Sequence, residues 1–169
     1  MRNRYLPLRL ALTLLLAGYA ASAMALTSTQ ADDLRYLKQE EKLARDVYQT
    51  LGAKWGLPAF SNIAVAEQRH MSAVSTLILL YNLPDTTPAD AGKFSIPDLQ
   101  ALYDVLIERG NTSLQDAIAV GVLIEQTDIA DLRKALSQAQ EQPIRTVLSN
   151  LLAGSYNHLS AFSRIANRR

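Results

Sequence analysis

Four long stretches of this sequence repeat apolar residues at the spacing of an amphipathic helix, and this pattern restricts the fold more than any other feature. The stretches cover residues 29–55, 60–81, 113–140 and 143 onward. Thr29-x-x-Asp32 is predicted to cap the first helix, and Ser113 with Asp116 the third. No strand-like alternation of useful length occurs, so the sequence predicts an all-α domain.

The connections between these stretches are short, long and short. The middle connection begins as a loop over residues 82–93 and contains a shorter helix, which starts at Ser95-Ile96-Pro97-Asp98 and ends at Gly110. A connection of this length lets the second and third long helices run parallel. One such crossover is typical of a ferritin-like four-helix bundle, which is the fold that we predict for residues 26–169.

Residues 1–25 have the pattern of a secretory signal peptide, with three arginines, an apolar run and small-x-small sites ending at Ala23 and Ala25. A retained N-terminal anchor is the alternative. Cleavage would remove three of the 17 basic residues and none of the 16 acidic ones, which leaves a net charge of −2. We therefore expect an exported, periplasmic protein that is free of the membrane after cleavage and does not bind nucleic acid.

Each long stretch replaces apolar residues near its middle with side chains that can bind metal ions. The six residues are Glu41, Glu67, His70, Glu125, Asp128 and His158. Burying four carboxylates together raises their pKa values unless cations compensate them. Two divalent ions with two neutral imidazoles would balance the charge. Because the chain has no cysteine, any metal must be held by oxygen and imidazole ligands, which favours iron, manganese or zinc. A hydrogen-bonded polar network without metal is the alternative.

The run Glu40 to Tyr48 resembles the first helix of ferritin-like and rubrerythrin-like proteins, where a ligand Glu precedes a Tyr by seven residues, as Glu41 precedes Tyr48. That run, together with Phe60-Ser61-Asn62-Ile63-Ala64, Glu67-Gln68-Arg69-His70-Met71 and Gly154-Ser155-Tyr156-Asn157-His158-Leu159, resembles more closely the bacterial and archaeal family called domain of unknown function 2202. The resemblance extends from about Leu34 to Phe162. It implies the ferritin-like fold and a metal site, but no substrate.

The sequence departs from the ferritin pattern in its last helix, where Ser155-x-x-His158 replaces Glu-x-x-His. Asp128 is the candidate replacement for the missing carboxylate. Without it, the second metal would be weakly held or absent. Glu40 is a rival of Glu41, interpreted as solvated or as a neighbour of the ligands. Tyr48 is either a hydrogen-bond partner of a ligand carboxylate or an ordinary core residue.

These features predict a dinuclear iron or manganese site, with Glu67 and Glu125 as bridging or chelating carboxylates and Glu41, His70, Asp128 and His158 as terminal ligands. By analogy of site type, the reduced metals would react with dioxygen or peroxide, as an oxidase or peroxidase does. A metal-binding or helical interaction module without turnover is the alternative function. Gly121 and Gly154 either open a small cavity for the oxidant or allow close helix contact. A homo-oligomer is compatible with the sequence, which carries no assembly signal.

Overall fold

The computed structural model describes residues 26–168, and the signal peptide predicted for residues 1–25 lies outside them. This part of the chain forms five helices: α1 (Ser28–Trp55), α2 (Pro58–Leu80), α3 (Pro97–Gly110), α4 (Leu114–Gln138) and α5 (Gln142–Ala166). It contains no β-strand, which confirms the all-α prediction for residues 26–168. None of its helices is long and apolar enough to cross a membrane.

The residue that caps helix α1 is Thr27, two residues before the predicted cap. The Thr27 hydroxyl accepts a hydrogen bond from the Gln30 backbone N–H at 3.2 Å, and Gln30 Oε1 accepts one from the Thr27 N–H at 3.0 Å. These two bonds form a capping box. The prediction that Thr29 and Asp32 cap the helix is wrong, because Asp32 instead accepts from Arg35 at 2.6 Å.

Replacing Thr27 with Ala should therefore lower the free energy of unfolding by about 1 kcal/mol, because an N-terminal N–H of α1 loses its acceptor. The matched control is Thr29→Ala, which changes an exposed residue inside the first turn and should shift stability by less than about 0.5 kcal/mol. Urea unfolding followed by circular dichroism measures both. Equal losses in the two variants would contradict the observed cap.

The four long helices pack side by side in two hairpins. Helix α1 pairs with α2 and α4 with α5, while α1 also packs against α4 and α2 against α5. Leu34 on α1 lies with Leu132 on α4, whereas Tyr48, later in α1, reaches Glu125, earlier in α4. Helices α1 and α4 are therefore antiparallel. Since α1 is also antiparallel to α2 across a two-residue turn, α2 and α4 run parallel, as the long connection predicts.

Helix α3 and the crossover cover the outer side of α1. Helix α3 packs against α1 and α4. The buried Asp46 carboxylate accepts from Lys42 Nζ at 2.6 Å and from the Gly92 backbone N–H at 2.8 Å, and Lys42 Nζ also donates to the Asp90 carbonyl oxygen at 2.8 Å. These bonds attach the crossover to the middle of α1. As a result, every residue from 37 to 44 is buried, polar side chains included.

The apolar core is divided into two clusters along the helices. One contains Tyr48, Phe60, Val120 and Phe162 among others, and the second contains Leu34, Val74, Leu132 and Leu148. On each long helix, the candidate metal ligands lie in sequence between the residues of the two clusters. A polar layer thus crosses the middle of the domain between two apolar layers.

Candidate metal centre

The structure brings the six predicted ligand residues together in this polar layer. Helix α1 supplies Glu41, α2 supplies Glu67 and His70, α4 supplies Glu125 and Asp128, and α5 supplies His158. The four carboxylate residues are buried, and the most exposed of them, Asp128, has only 6% of its surface accessible. Helical periodicity explains this placement, since each residue occupies a position where the inward stripe would otherwise be apolar.

Glu67 lies at the middle of the cluster. His70 Nδ1 is 2.8 Å from Glu67 Oε2 and 3.2 Å from Glu41 Oε2. On the other side, His158 Nδ1 is 2.8 Å from Glu67 Oε1 and 3.5 Å from Glu125 Oε2. The residues form two triads, Glu41–Glu67–His70 and Glu67–Glu125–His158, each with ligand atoms within 4.8 Å of one another. Glu67 is common to both triads.

Several atoms of the cluster are buried without a hydrogen-bond partner among residues 26–168. They are Glu41 Oε1, Glu67 Oε1, Asp128 Oδ1 and His158 Nδ1. Glu67 Oε1 and His158 Nδ1 are 2.8 Å apart, but the pair does not have the geometry of a hydrogen bond. Leaving such atoms buried and unpaired costs about 1–3 kcal/mol each. Carboxylate oxygen and imidazole nitrogen are donors that suit a divalent transition metal, so these residues fit a bound ion.

Most carboxyl groups of the cluster have raised pKa values, because too much negative charge is buried in one place. Burial raises the pKa of Glu41 well above its ordinary value, and Asp128 and Glu67 add to the shift by repulsion. Burial also raises the pKa values of Glu125 and Asp128, in each case to about 7. The cluster therefore retains protons near neutral pH unless a cation replaces them.

Glu67 and His158 shift in the directions expected of an ion pair. Burial favours a neutral Glu67, but contacts with His158 and His70 outweigh it and lower the Glu67 pKa to about 2. Burial favours a neutral His158, yet Glu125 and Glu67 raise its pKa to about 9. In the metal-free protein, protons on the imidazoles thus take the place of cations beside Glu67.

Asp128 and Ser155 lie beside the two triads. Asp128 belongs to neither of them, and the nearby Ser155 side chain lowers its pKa, although burial outweighs that effect. The Ser155 hydroxyl also donates to the Leu151 carbonyl oxygen at 3.0 Å. Of the two residues predicted to bridge or chelate, Glu67 is shared by both triads and Glu125 belongs to one, whereas Asp128, predicted as a terminal ligand, belongs to neither.

Tyr48 combines both of its predicted roles. Its hydroxyl donates to Glu125 Oε1 at 2.7 Å, which orients that carboxylate. Its ring is fully buried and packs against Phe60 and Phe162, with centroids 6.0 and 5.2 Å away. Tyr48 thus connects the polar layer to the neighbouring apolar cluster.

Glu40 was interpreted as either solvated or a neighbour of the ligands, and the first of these interpretations is wrong. Only 5% of its surface is accessible, and Asp128 and Asp131 on α4 lie close enough to add to the rise of its pKa that burial causes. The amphipathic pattern of α1 did not reveal this proximity, because α3 and α4 both cover the side of α1 that carries Glu40. The spacing of Asp128 and Asp131, one turn apart on α4, is the signal that could have indicated it.

The two glycines near the cluster allow close packing. A Cβ atom added at Gly121 would lie 2.8 Å from the Phe162 ring, and one added at Gly154 would lie 2.6 Å from His70 Nε2. Neither position has room for even a methyl group. The structure thus favours close helix contact over an oxidant cavity at these two residues.

Gly154→Ala should displace the His70 ring while leaving the fold intact. Alanine favours the helix by about 1 kcal/mol, which offsets the strain of moving the end of a side chain. Because His70 Nδ1 would move away from Glu67 and Glu41, we expect Mn²⁺ affinity to fall at least tenfold, measured by calorimetric titration. Gly121→Ala is the control, since it should lower stability by about 1–3 kcal/mol through overpacking without changing affinity. Equal affinities in Gly154→Ala and the wild type would contradict the prediction.

Comparison with known proteins extends this picture to a family. Residues 30–169 match the family described as an uncharacterized protein domain, DUF2202. Uncharacterized protein MJ0754 of Methanocaldococcus jannaschii is 46% identical over 143 residues, which cover 84% of this chain and 77% of the relative. The crystal structure of hypothetical protein MJ0754 from Methanococcus jannaschii is similar with a TM-score of 0.83 and 44% identity, over 85% of this chain and 82% of that chain. The chain therefore belongs to the DUF2202 family.

Proposed function

We propose that this protein is an exported, ferritin-like metalloprotein whose dinuclear iron or manganese centre reacts with dioxygen or peroxide. The observation that carries the proposal is the position of Glu67 between two triads of ligand atoms. A carboxylate that offers one oxygen to each of two neighbouring triads suits a bridge between two ions. A single ion would leave one triad with its buried charges uncompensated.

Each ion has its own residues in this proposal. Glu41 and His70 would hold one ion, Glu125 and His158 would hold the other, and Glu67 would hold both. Asp128 supplies a further carboxylate at the edge of the pair. Two divalent cations balance four ionised carboxylates when both imidazoles are neutral, so metal binding would replace the protons that the cluster otherwise retains.

When bound, iron or manganese supplies the one-electron chemistry with dioxygen or peroxide that these side chains lack. The residues of the chain position and shield the centre. Tyr48 holds the Glu125 carboxylate by its 2.7 Å hydrogen bond. The His70 and His158 side chains are 13% and 11% exposed, whereas those of Glu41, Glu67 and Glu125 are at most 3% exposed. The two imidazoles are therefore the parts of the cluster that lie nearest to solvent.

The arrangement of the helices supports the ferritin-like part of the proposal. Helices α2 and α4 run parallel, and one long crossover that contains α3 connects their hairpins, as in ferritin-like bundles. The pattern of residues 1–25 supports export. The mature chain would then work outside the cytoplasm, as a monomer or homo-oligomer, and size-exclusion chromatography would determine the assembly.

Metal analysis followed by rapid mixing tests the function. The purified protein, loaded anaerobically with Fe(II) or Mn(II) and desalted, should retain about two ions per chain. When the Fe(II) form is mixed with dioxygen or peroxide in a stopped-flow instrument, its iron should be oxidised at least tenfold faster than free Fe(II) in the same buffer. Well below one metal ion per chain after loading with either metal would reject the proposal.

A metal-binding module without turnover is the second candidate. The close approach of Gly154 to His70 favours it, since the centre is tightly packed on that side. It predicts two tightly bound ions but no oxidation of Fe(II) beyond the rate in buffer. A helical interaction module without metal predicts neither result, so the same experiment separates all three functions.

A further inference from the structure

A surface cavity of about 520 Å³ lies between α1 and α2. Helix α1 contributes Tyr48, Gly52 and Ala53 to its lining, and α2 contributes Ala64 and Arg69 among others. None of the six candidate metal ligands lines it. Cavities of this volume are typical of sites for small organic molecules. The proposed dinuclear centre makes no use of this one.

The cavity brings together residues from the runs that resemble the family but are not candidate ligands. Tyr48 ends the first of those runs, Ser61 and Ala64 belong to the second, and Gln68 and Arg69 belong to the third. In the third run, the two candidate ligands on α2 lie immediately before Gln68 and immediately after Arg69. The same stretch of α2 therefore borders both the metal centre and the cavity.

Arg69 gives the cavity a positive charge. Among the described residues that line the cavity, it is the only lysine, arginine, aspartate or glutamate. It is exposed, and within residues 26–168 it forms no ion pair with a carboxylate. A guanidinium group binds a carboxylate through two parallel hydrogen bonds, which gives both strength and a fixed orientation. The charge of the cavity therefore favours an anion, and its shape favours a planar one.

The remaining lining suits the apolar body of such an anion. Ala53 and Ala64 extend no further than their Cβ atoms, and Val65 leaves 56% of its surface exposed beside them. Covering these side chains removes apolar surface from water. Tyr48 is fully buried, so it lies at the inner end of the cavity, and its hydroxyl donates to Glu125 Oε1 at 2.7 Å. A molecule in the cavity is thus separated from the centre by one side chain.

We propose that this cavity binds a small organic anion with a flat apolar body, of the class of aromatic carboxylates. The carboxylate pairs with Arg69, and the ring covers Ala53, Ala64 and Val65. Binding requires no metal ion, because no candidate ligand takes part in it. The inference therefore goes beyond the proposed function and can fail or succeed separately from it.

Titration of the purified protein with cinnamate tests the site, with the neutral cinnamamide as the matched ligand. We expect cinnamate to bind at least fivefold more tightly than cinnamamide, because only the carboxylate pairs with Arg69. Arg69→Gln should lower the affinity for cinnamate to that for cinnamamide and leave the affinity for cinnamamide unchanged. The control is Arg133→Gln, which removes an exposed charge from α4 and should bind both ligands as the wild type does.

Two further measurements locate the bound molecule. Ala53→Trp fills the cavity from an exposed position, so it should fold normally and bind both ligands at least fivefold more weakly. In NMR spectra of the wild type, cinnamate should shift the backbone amide signals of Ala53, Ala64 and Arg69 most. Equal affinities for cinnamate and cinnamamide would overturn the inference, as would shifts confined to other parts of the protein or unchanged binding in Arg69→Gln.

The same titration on metal-free and Mn²⁺-loaded protein separates this inference from the proposed function. A protein that binds cinnamate in the cavity but retains no Mn²⁺ would support the inference and reject the dinuclear centre. A protein that retains two ions but does not distinguish cinnamate from cinnamamide would support the centre and overturn the inference.

Discussion

Replacing Glu67 with Gln should abolish the binding of both metal ions, whereas Glu41→Gln and Glu125→Gln should each abolish the binding of one. Glu67 offers Oε2 to the triad with Glu41 and His70 and Oε1 to the triad with Glu125 and His158. An amide keeps the shape of the side chain but removes the charge that both ions need. We expect the Mn²⁺ affinity of Glu67→Gln to fall at least 100-fold and its metal content after desalting to approach zero.

The comparison between variants makes this prediction specific to Glu67. Elemental analysis should give about two ions per chain for the wild type, about one for Glu41→Gln and for Glu125→Gln, and close to none for Glu67→Gln. The surface variant Glu108→Gln provides the control. It changes the net charge by the same amount, but on the exposed side of α3. The same metal content in all three variants of the cluster would show that Glu67 has no special position.

The sequence was sufficient to predict the helices and the level at which the six residues meet. Both follow from local rules: helical spacing places Glu67 and His70 on the inward stripe, and Pro97 and Ser113 mark where helices begin. Four helices of similar length that share one core must align their middles, so residues interrupting each stripe at mid-length come together.

Long-range packing determines what local rules could not predict. Glu40 is buried because α3 and α4 cover the outer side of α1, and a helical wheel cannot show which neighbours will do so. The same covering buries Lys42 and Asp46 as an ion pair. That Glu67 rather than Glu125 is shared by both triads depends on side-chain rotamers and on the offset between helices. Neither is encoded in the spacing of residues along one segment.

The metal-free protein should lose stability as the pH rises, and metal should reverse this trend. The folded-state pKa values of Glu125 and Asp128 are raised to about 7, so from about pH 4 to 7 the native state holds more protons than the unfolded chain. In that range the free energy of unfolding falls with increasing pH. The His158 pKa is also raised, to about 9, so the free energy of unfolding continues to fall with increasing pH up to about pH 9. Glu67, lowered to about 2, acts oppositely, but only below about pH 4.5.

Thermal unfolding of the metal-free protein should therefore give its highest Tm near pH 4–5. The Tm should be lower by about 20 °C at pH 8, since the raised pKa values correspond to about 3 kcal/mol for Glu125 and about 4 kcal/mol for Asp128 at 1.36 kcal/mol per pKa unit. With Mn²⁺ at 1,000 times its Kd, the protein should gain about 4 kcal/mol. At a fixed Mn²⁺ concentration, the gain should grow from pH 5 to pH 8, because the ligands must lose their protons before the metal binds.

The double variant Glu125→Gln, Asp128→Asn separates this effect from general acid or base sensitivity. It lacks two of the carboxyl groups whose protonation stabilises the native state, so its metal-free Tm should change less between pH 5 and 7 than that of the wild type. The fall between pH 7 and 9 that His158 causes should become smaller without disappearing, because Glu125 no longer raises the His158 pKa while Glu67 still faces its Nδ1 at 2.8 Å. A metal-free wild type whose Tm rises from pH 5 to pH 8 would mean that the four carboxylates are compensated by groups other than protons or cations. The charge argument for a dinuclear centre would then fail.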